Sequence, residues 1–160
     1  MPLNPTKNDL AVDARTKIVD LLQARLADCA DLQSHAKQAH WNVKGVNFIA
    51  LHKLFDEIYE QVGEFIDEIA ERGVELGGLM KGTARAVAAQ TSLKEYPLGA
   101  TSWRDHVAAM SDSLAAFGKL ARAAIDESTK HGDADTADLF TEISRGIDKS
   151  LWMVEAHLQD

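Results

Sequence analysis

Four side chains able to bind a metal ion follow one another along a single predicted helix. His52 and Asp56 are four residues apart, as are Asp67 and Glu71, and side chains at this spacing share a helix face. Asp56 and Asp67 are eleven residues apart, about three turns, so all four lie on one stripe. At a rise of about 1.5 Å per residue, the two pairs are roughly 16 Å apart along the helix. One metal ion therefore cannot bind both pairs of the same helix.

A two-fold arrangement of two chains would bring the two pairs together. If two copies of this helix cross antiparallel with the axis between residues 61 and 62, residue i faces residue 123 minus i of the other copy. His52 then faces Glu71, and Asp56 faces Asp67. Gly63, next to the axis, would allow the two backbones to approach closely. Because an isologous contact repeats each pairing, the spacing predicts two equivalent sites per dimer, each with ligands from both chains.

His40 is the remaining candidate ligand, because it ends the preceding predicted helix beside the turn at residues 43–45 and can fold back towards His52. Two imidazoles and three carboxylates suit iron or manganese, and zinc can bind the same set. The lack of a nearby thiolate argues against a structural zinc site. A di-iron site inside one bundle needs Glu-x-x-His motifs, and no glutamate stands three positions before any of the 6 histidines.

Less specific interpretations exist for the same residues. An acidic pair on a helix is commonly a solvated surface, and a single histidine is commonly a packing residue. Lys37, one turn before His40, either pairs with a carboxylate of the site or is solvated. The matching positions of the two pairs and the glycine near the axis support the metal site, but the spacing alone leaves the solvated and packing alternatives open.

Apolar residues recur at three- and four-residue steps in four long segments, which predicts four long helices. The first runs from Asp13 to about Asn42, and the second begins after a predicted N-cap at Asn47 and ends near residues 77–78. A short helix is predicted over residues 84–89. Ser102 is the predicted cap of the third long helix, and residues 131–133 lead into the fourth.

Short loops join the helices within each pair, and one long connection joins the two pairs. This pattern predicts an all-α, ferritin-like four-helix bundle with one long crossover that carries a short extra helix. Residues 1–12 contain two prolines and no apolar period, so they are predicted to be a flexible tail. Residues 13–160 form the single predicted domain.

Composition excludes several classes of protein. No apolar run approaches the roughly 20 residues that a membrane-spanning helix needs, and the first residues lack the pattern of an export signal. A single cysteine, Cys29, suits a reducing cytoplasm. The formal net charge of −8 argues against a basic surface for nucleic acid.

Two stretches of the chain closely resemble the signatures of the Dps family, the bacterial mini-ferritins. The first is KQAHWNVKG at residues 37–45 followed by FIALHKLFD at 48–56, and the second is DEIAER at 67–72 followed by Gly77-Gly78. The similarity continues through residues 93–98, 135–138 and 144–152, and so covers nearly the whole chain.

This resemblance implies a cytoplasmic homo-oligomer, a hollow dodecamer that oxidises Fe(II), typically with hydrogen peroxide, and stores ferric iron. It implies that His40, His52 and Asp56 come from one subunit and Asp67 and Glu71 from the other. It also implies that Trp41, next to His40, can donate an electron to an over-oxidised species, although a role as a core aromatic is an equal alternative. Asp138 is the main candidate for an iron-entry pore, and Asp133, Asp135 and Glu142 are lesser candidates. The position of these acidic residues is equally explained by the preference of acidic side chains for the start of a helix.

DNA binding in the family commonly uses a lysine-rich tail, whose lysines displace counterions from phosphates. Here the tail offers only Lys7, offset by Asp9. Weak or absent DNA binding is therefore predicted, and association with the nucleoid is left open. The alternatives are a mainly DNA-compacting protein with secondary ferroxidase activity, and a passive assembly that would lack one of the ligands. None of the ligands is missing.

Overall fold

A computed structural model describes residues 3–159 and contains five helices and no strand within that range. The helices are α1 (Val12–Asn42), α2 (Phe48–Glu75), α3 (Ala84–Gln90), α4 (Trp103–Lys130) and α5 (Ala134–Glu155). The predicted boundaries of the long helices agree with these to within a residue or two. The all-α fold class is confirmed.

The helices pack as two hairpins, α1 with α2 and α4 with α5, and α3 lies against α1. Phe55, Phe117 and Phe140 are fully buried between the hairpins, and their burial contributes the largest apolar areas to the core. The predicted four-helix bundle with one long crossover is therefore confirmed. Among residues 3–159, no helix combines the length and the apolar character needed to cross a membrane.

Polar side chains of the bundle bind the crossover at several points. The buried Asp28 carboxylate accepts hydrogen bonds from the Ser92 backbone N–H at 2.7 Å and from the Ser92 hydroxyl at 2.9 Å. The Tyr96 hydroxyl lies 2.7 Å from Nδ1 of the buried His106 on α4. These bonds hold an irregular segment in one position, because an unpaired polar group in the core would be costly.

Of the two N-caps predicted from the sequence, one forms its capping hydrogen bond and the other does not. Ser102 caps α4 as predicted, in a capping box with Asp105. Asn47 occupies the N-cap position of α2, but its side chain makes no capping hydrogen bond. Asp133 caps α5 by accepting from the Thr136 backbone N–H.

The amino-terminal segment has no regular secondary structure but contacts the end of α2. The Asn4 N–H donates to the Gly77 carbonyl at 2.7 Å, and Leu3 and Leu10 pack against the core. The buried Arg15 donates to the carbonyls of Leu10 and Leu76 at 3.1 and 3.2 Å. The Leu76 and Gly77 carbonyls follow the C-terminal end of α2, where carbonyls lack partners within the helix. Flexibility of residues 1–12 remains a prediction, and residues 1 and 2 lie outside the described range.

Two glycines with positive φ provide a test of this contact. Gly77 has φ +91 and a Cβ there would lie 2.5 Å from the Asn4 carbonyl oxygen, whereas Gly132 has φ +77 and open space around it. We expect Gly132→Ala to lower the free energy of unfolding by about 1–2 kcal/mol, the cost of the left-handed conformation. Gly77→Ala should lower it further and expose the amino-terminal segment to protease. Urea unfolding and limited proteolysis would check this, and equal losses in the two variants would contradict the Asn4 contact.

Candidate metal centre

The turn between α1 and α2 determines which side chains meet at the candidate site. The buried Val43 ends α1, and its N–H donates to the Ala39 carbonyl at 2.9 Å. Gly45 has φ +109, and a Cβ there would lie 3.0 Å from the Trp103 ring of α4. Glycine is required at this point by both its backbone conformation and the close approach. The turn reverses the chain and brings His40 beside His52, as predicted.

The two histidines form a reciprocal pair. Nδ1 of His40 lies 2.7 Å from the backbone carbonyl of His52, and Nδ1 of His52 lies 2.9 Å from the backbone carbonyl of His40. The rings stack with centroids 3.7 Å apart and an angle of 21° between them. A carbonyl can only accept a hydrogen bond, so both Nδ1 atoms carry the proton. In the neutral rings each Nε2 therefore keeps its lone pair, the form in which histidine binds a metal.

Asp56 lies beside this pair and is bound by Lys37 of α1. The two charged groups are in direct contact, and the Lys37 ammonium also lies 4.5 Å from the centre of the Tyr59 ring. Nδ1 of His40 is 3.8 Å from Oδ1 of Asp56. The hydrogen bond from Lys37, together with its positive charge, holds the pKa of Asp56 below its usual range. Asp56 is thus an anion at neutral pH, and a bound metal ion would compete with Lys37 for it.

Asp67 and Glu71 are exposed on the later turns of α2. Eleven residues of helix separate Asp67 from Asp56, which is roughly 16 Å. Within residues 3–159 of one chain, no group of three or more His, Cys, Asp or Glu side chains is placed to hold a metal ion. His40 stacks on His52, and Asp56 lies 3.8 Å from Nδ1 of His40, but these three side chains of one chain do not by themselves form a metal-binding group, and Asp67 and Glu71 lie apart from them.

Gly63 of α2 lies against a side chain of α1 in the same subunit. A Cβ at Gly63 would lie 2.7 Å from Nε2 of Gln33, so the missing side chain leaves room for α1 of the same chain. Gln33 in turn donates to the Tyr59 carbonyl at 3.2 Å. Close contact between two copies of α2 at Gly63 remains a prediction, and within the subunit the glycine makes room for the Gln33 side chain.

Trp41 is exposed, with 66% of its surface accessible. The interpretation of Trp41 as a core aromatic is therefore wrong for the subunit. It follows His40 directly and borders a surface groove shared with Gln38, Tyr96 and Leu98. Its role as an electron donor remains a prediction.

The acidic residues at the start of α5 have different surroundings. The Asp133 side chain is 1% exposed and pairs with Arg72 at 2.8 Å, so it is a structural anchor and its assignment to a pore was wrong. Asp135 is exposed and 3.8 Å from the same guanidinium. Asp138 is exposed beside a shallow depression that includes Thr129 and Gly132, and its pore role remains a prediction.

An acidic patch formed by α2 and α5 was not predicted from the sequence. Burial raises the pKa of Glu68, and the nearby carboxylates of Glu142, Glu64 and Asp67 raise it further. Glu64 and Glu68 are four residues apart, which is the spacing that could have identified them. Tyr59, which packs against Lys37, was also missed, although it is three residues from Asp56 on the same helix face.

Comparison with known proteins places the whole chain in one group. The ferritin-like domain family matches residues 19–160. A DNA protection during starvation protein of Agrobacterium fabrum is 44% identical over 160 residues, which cover 100% of this chain and 99% of that protein. DpsA14 from Streptomyces coelicolor superimposes with a TM-score of 0.93 at 32% identity, with 100% of this chain and 96% of that chain covered.

A third similar structure is Dps from Microbacterium arborescens, solved in what is described as its high iron form. It superimposes with a TM-score of 0.87 at 32% identity, and 99% of each chain is covered. The motifs, the bundle with its crossover, and these similarities agree with one another. The chain therefore belongs to the Dps family of ferritin-like proteins.

Proposed function

We propose that this chain oxidises Fe(II) at sites shared between two subunits. The observation that carries the proposal is the reciprocal His40–His52 pair, whose Nδ1 atoms are both occupied by backbone carbonyls. Each Nε2 can then bind iron beside the ionised Asp56. The partner subunit's Asp67 and the partner subunit's Glu71 would complete the ligand set through the two-fold arrangement that the spacing predicts.

The proposed ligands favour oxidation of the bound iron. Three carboxylates stabilise Fe(III) more than Fe(II), because hard anionic oxygen prefers the higher charge. With hydrogen peroxide as the oxidant, two ferrous ions each give one electron, the O–O bond breaks, and two protons complete two waters. The reaction consumes both precursors of the hydroxyl radical and would thereby protect DNA. Trp41, exposed next to His40, is placed to donate an electron if the site is over-oxidised.

Storage is the second part of the proposal. A hollow dodecamer would hold the ferric product as mineral, as membership of the family suggests, and a relative has been solved in a high iron form. The acidic patch of Glu64, Asp67, Glu68 and Glu142 would attract cations. Asp138 is the proposed pore residue. Zinc and manganese fit the same nitrogen and oxygen ligands and would compete with iron.

A mainly DNA-compacting role is less well supported. The formal net charge is −8 and the tail offers Lys7 with Asp9 beside it, while Asn4 is bound to the end of α2. A lysine-rich mobile arm, which would release counterions from DNA, is therefore not available in this segment. We propose a cytoplasmic ferroxidase in which direct DNA binding is weak at physiological salt.

Mixing the protein anaerobically with Fe(II) and then adding peroxide tests the activity. We expect rapid formation of ferric absorbance with the wild type, and rates at least about tenfold lower for His52→Ala and Asp67→Ala, since each removes an iron ligand. Asp112→Ala, an exposed carboxylate on α4, is the control and should behave as the wild type. If both ligand variants oxidise iron at the wild-type rate, the site is not where we propose.

A further inference from the structure

Arg72 follows the candidate ligand Glu71 and connects the end of α2 to the start of α5. Its side chain is 13% exposed. Nη2 lies 2.8 Å from Oδ1 of Asp133, and Nε donates to the Thr136 hydroxyl oxygen at 3.0 Å. Nη1 lies 3.1 Å from Glu75 on the same helix. One guanidinium thus engages Asp133, the N-cap of α5, and Thr136 in its first turn, together with Glu75 of α2, and Asp135 lies 3.8 Å away.

Asp133, which accepts from Arg72, is also held in place. The Asp133 carboxylate, 1% exposed, also accepts from the Thr136 backbone N–H at 3.1 Å as the cap of α5. A buried carboxylate that lost its cation would be left with an uncompensated charge, which is strongly unfavourable. The Arg72–Asp133 pair therefore restrains its two helices far more firmly than an exposed ion pair would.

Asp67 and Glu71 lie between two polar links from α2 to α5. One is the hydrogen bond from the Ser150 hydroxyl to Oε1 of Gln61, at 2.8 Å, and the other is Arg72. Beyond Arg72, the helix is held by apolar packing at Gly73 and Leu76. Since the rotation of a helix sets the direction of every side chain on it, the link at Arg72 fixes where the neighbouring Glu71 points.

We propose that Arg72 is a positioning residue for the iron site, in which its bonds to Asp133 and Thr136 hold the Glu71 turn of α2 in the orientation that a partner subunit requires. The inference rests on the proposed function, because it takes Glu71 as a ligand. It also gives the buried Asp133 a role in holding the site, in place of the role in iron entry that the sequence suggested.

The test uses the assembled protein and compares Arg72→Gln with a matched pair elsewhere. Arg122 and Asp148 also lie 2.8 Å apart and join α4 to α5, but both are about half exposed, so Arg122→Gln is the control. We expect Arg72→Gln to raise the KM for Fe(II) about tenfold and to weaken anaerobic Zn(II) binding equally, as loss of an outer-sphere partner does. Asp133→Asn should shift KM in the same direction, Arg72→Lys should recover part of the loss, and Arg122→Gln should leave both values unchanged.

Two further outcomes separate this inference from the proposed function. If Arg72→Gln lowers only the unfolding temperature, with KM and Zn(II) binding unchanged while Glu71→Gln abolishes activity, Arg72 is structural and the inference fails alone. If Glu71→Gln is as active as the wild type, Glu71 is not a ligand and both proposals fail. Arg72→Lys allows the same comparison should Arg72→Gln not assemble.

Discussion

Two inactive variants of this protein, denatured together and reassembled, are expected to recover about a quarter of the wild-type iron-oxidising sites. One variant carries His52→Ala with Asp56→Ala, and the other Asp67→Ala with Glu71→Ala. Each alone lacks half of every shared site. In a mixed dimer, one site receives both defects and the other receives none. Half of the dimers are mixed when assembly is random, and each has one intact site of two.

The measurement is the initial rate of ferric absorbance after peroxide is added to the reassembled mixture. The same two variants, reassembled separately and then combined, provide the control and should stay inactive. A site built within one subunit would give no recovery in the mixture, because neither chain then has a complete ligand set. Recovery would establish that ligands come from both chains.

Acidification should destabilise the subunit through two buried histidines. His35 contacts Ser113 at 3.1 Å and Asp31 at 3.4 Å, and His106 contacts Tyr96. Burial lowers the pKa of both histidines below the ordinary value of 6.5. The charge of Asp31 partly opposes this shift at His35, and the charge of Asp105 and a hydrogen bond to the Asn42 backbone partly oppose it at His106.

The sign of the effect follows from proton uptake. Below pH 6.5 the unfolded chain protonates both histidines while the folded chain does not, so the free energy of unfolding falls as pH falls. Each histidine contributes up to about 1.4 kcal/mol per pH unit until its lowered pKa is reached. Asp105 and Glu127 have lowered pKa values in the folded chain, so they reduce the free energy of unfolding only when the pH falls below their ordinary pKa values of 3.8 and 4.5. The two effects therefore occupy different pH ranges.

Urea unfolding at pH 7.5, 6.5 and 5.5, at one fixed protein concentration because the protein is expected to be oligomeric, would measure this dependence. The double variant His35→Gln with His106→Gln keeps polar side chains at both positions but cannot take up the protons. We expect its stability to be lower than that of the wild type at pH 7.5 but to change much less between pH 7.5 and 5.5. An equal slope in both proteins would show that other groups cause the dependence.

The residues of the candidate site could largely be named before the fold was known. Helical periodicity is a local property, so the side chains that share a face of α2 follow from the sequence, as do the identities of His52, Asp56, Asp67 and Glu71. The roughly 16 Å between the two pairs also follows from helix rise alone. The capping box at Ser102 and the position of the crossover were predictable for the same reason, because each depends on neighbouring residues.

Other features depended on contacts between distant parts of the chain. The periodicity of α2 does not say which way the Gly63 Cα faces relative to α1, and a run of acidic residues does not show that Asp133 is buried against Arg72. Similarly, Trp41 is a large aromatic residue of a type common in protein cores, yet its side chain is exposed at the surface. Such facts depend on which helix packs against which face.

Residue type and local spacing encode the fold class, the four long helices and the set of possible iron ligands, so these could be predicted without the structure. Tertiary packing decided the tautomer of the two candidate histidine ligands, since the proton on each Nδ1 of His40 and His52 follows from a carbonyl on the opposite helix. It likewise decided that Lys37 holds Asp56 and that Arg72 holds Asp133. Hydrogen bonds and ion pairs between residues far apart in the chain exist only after packing has brought their atoms within reach.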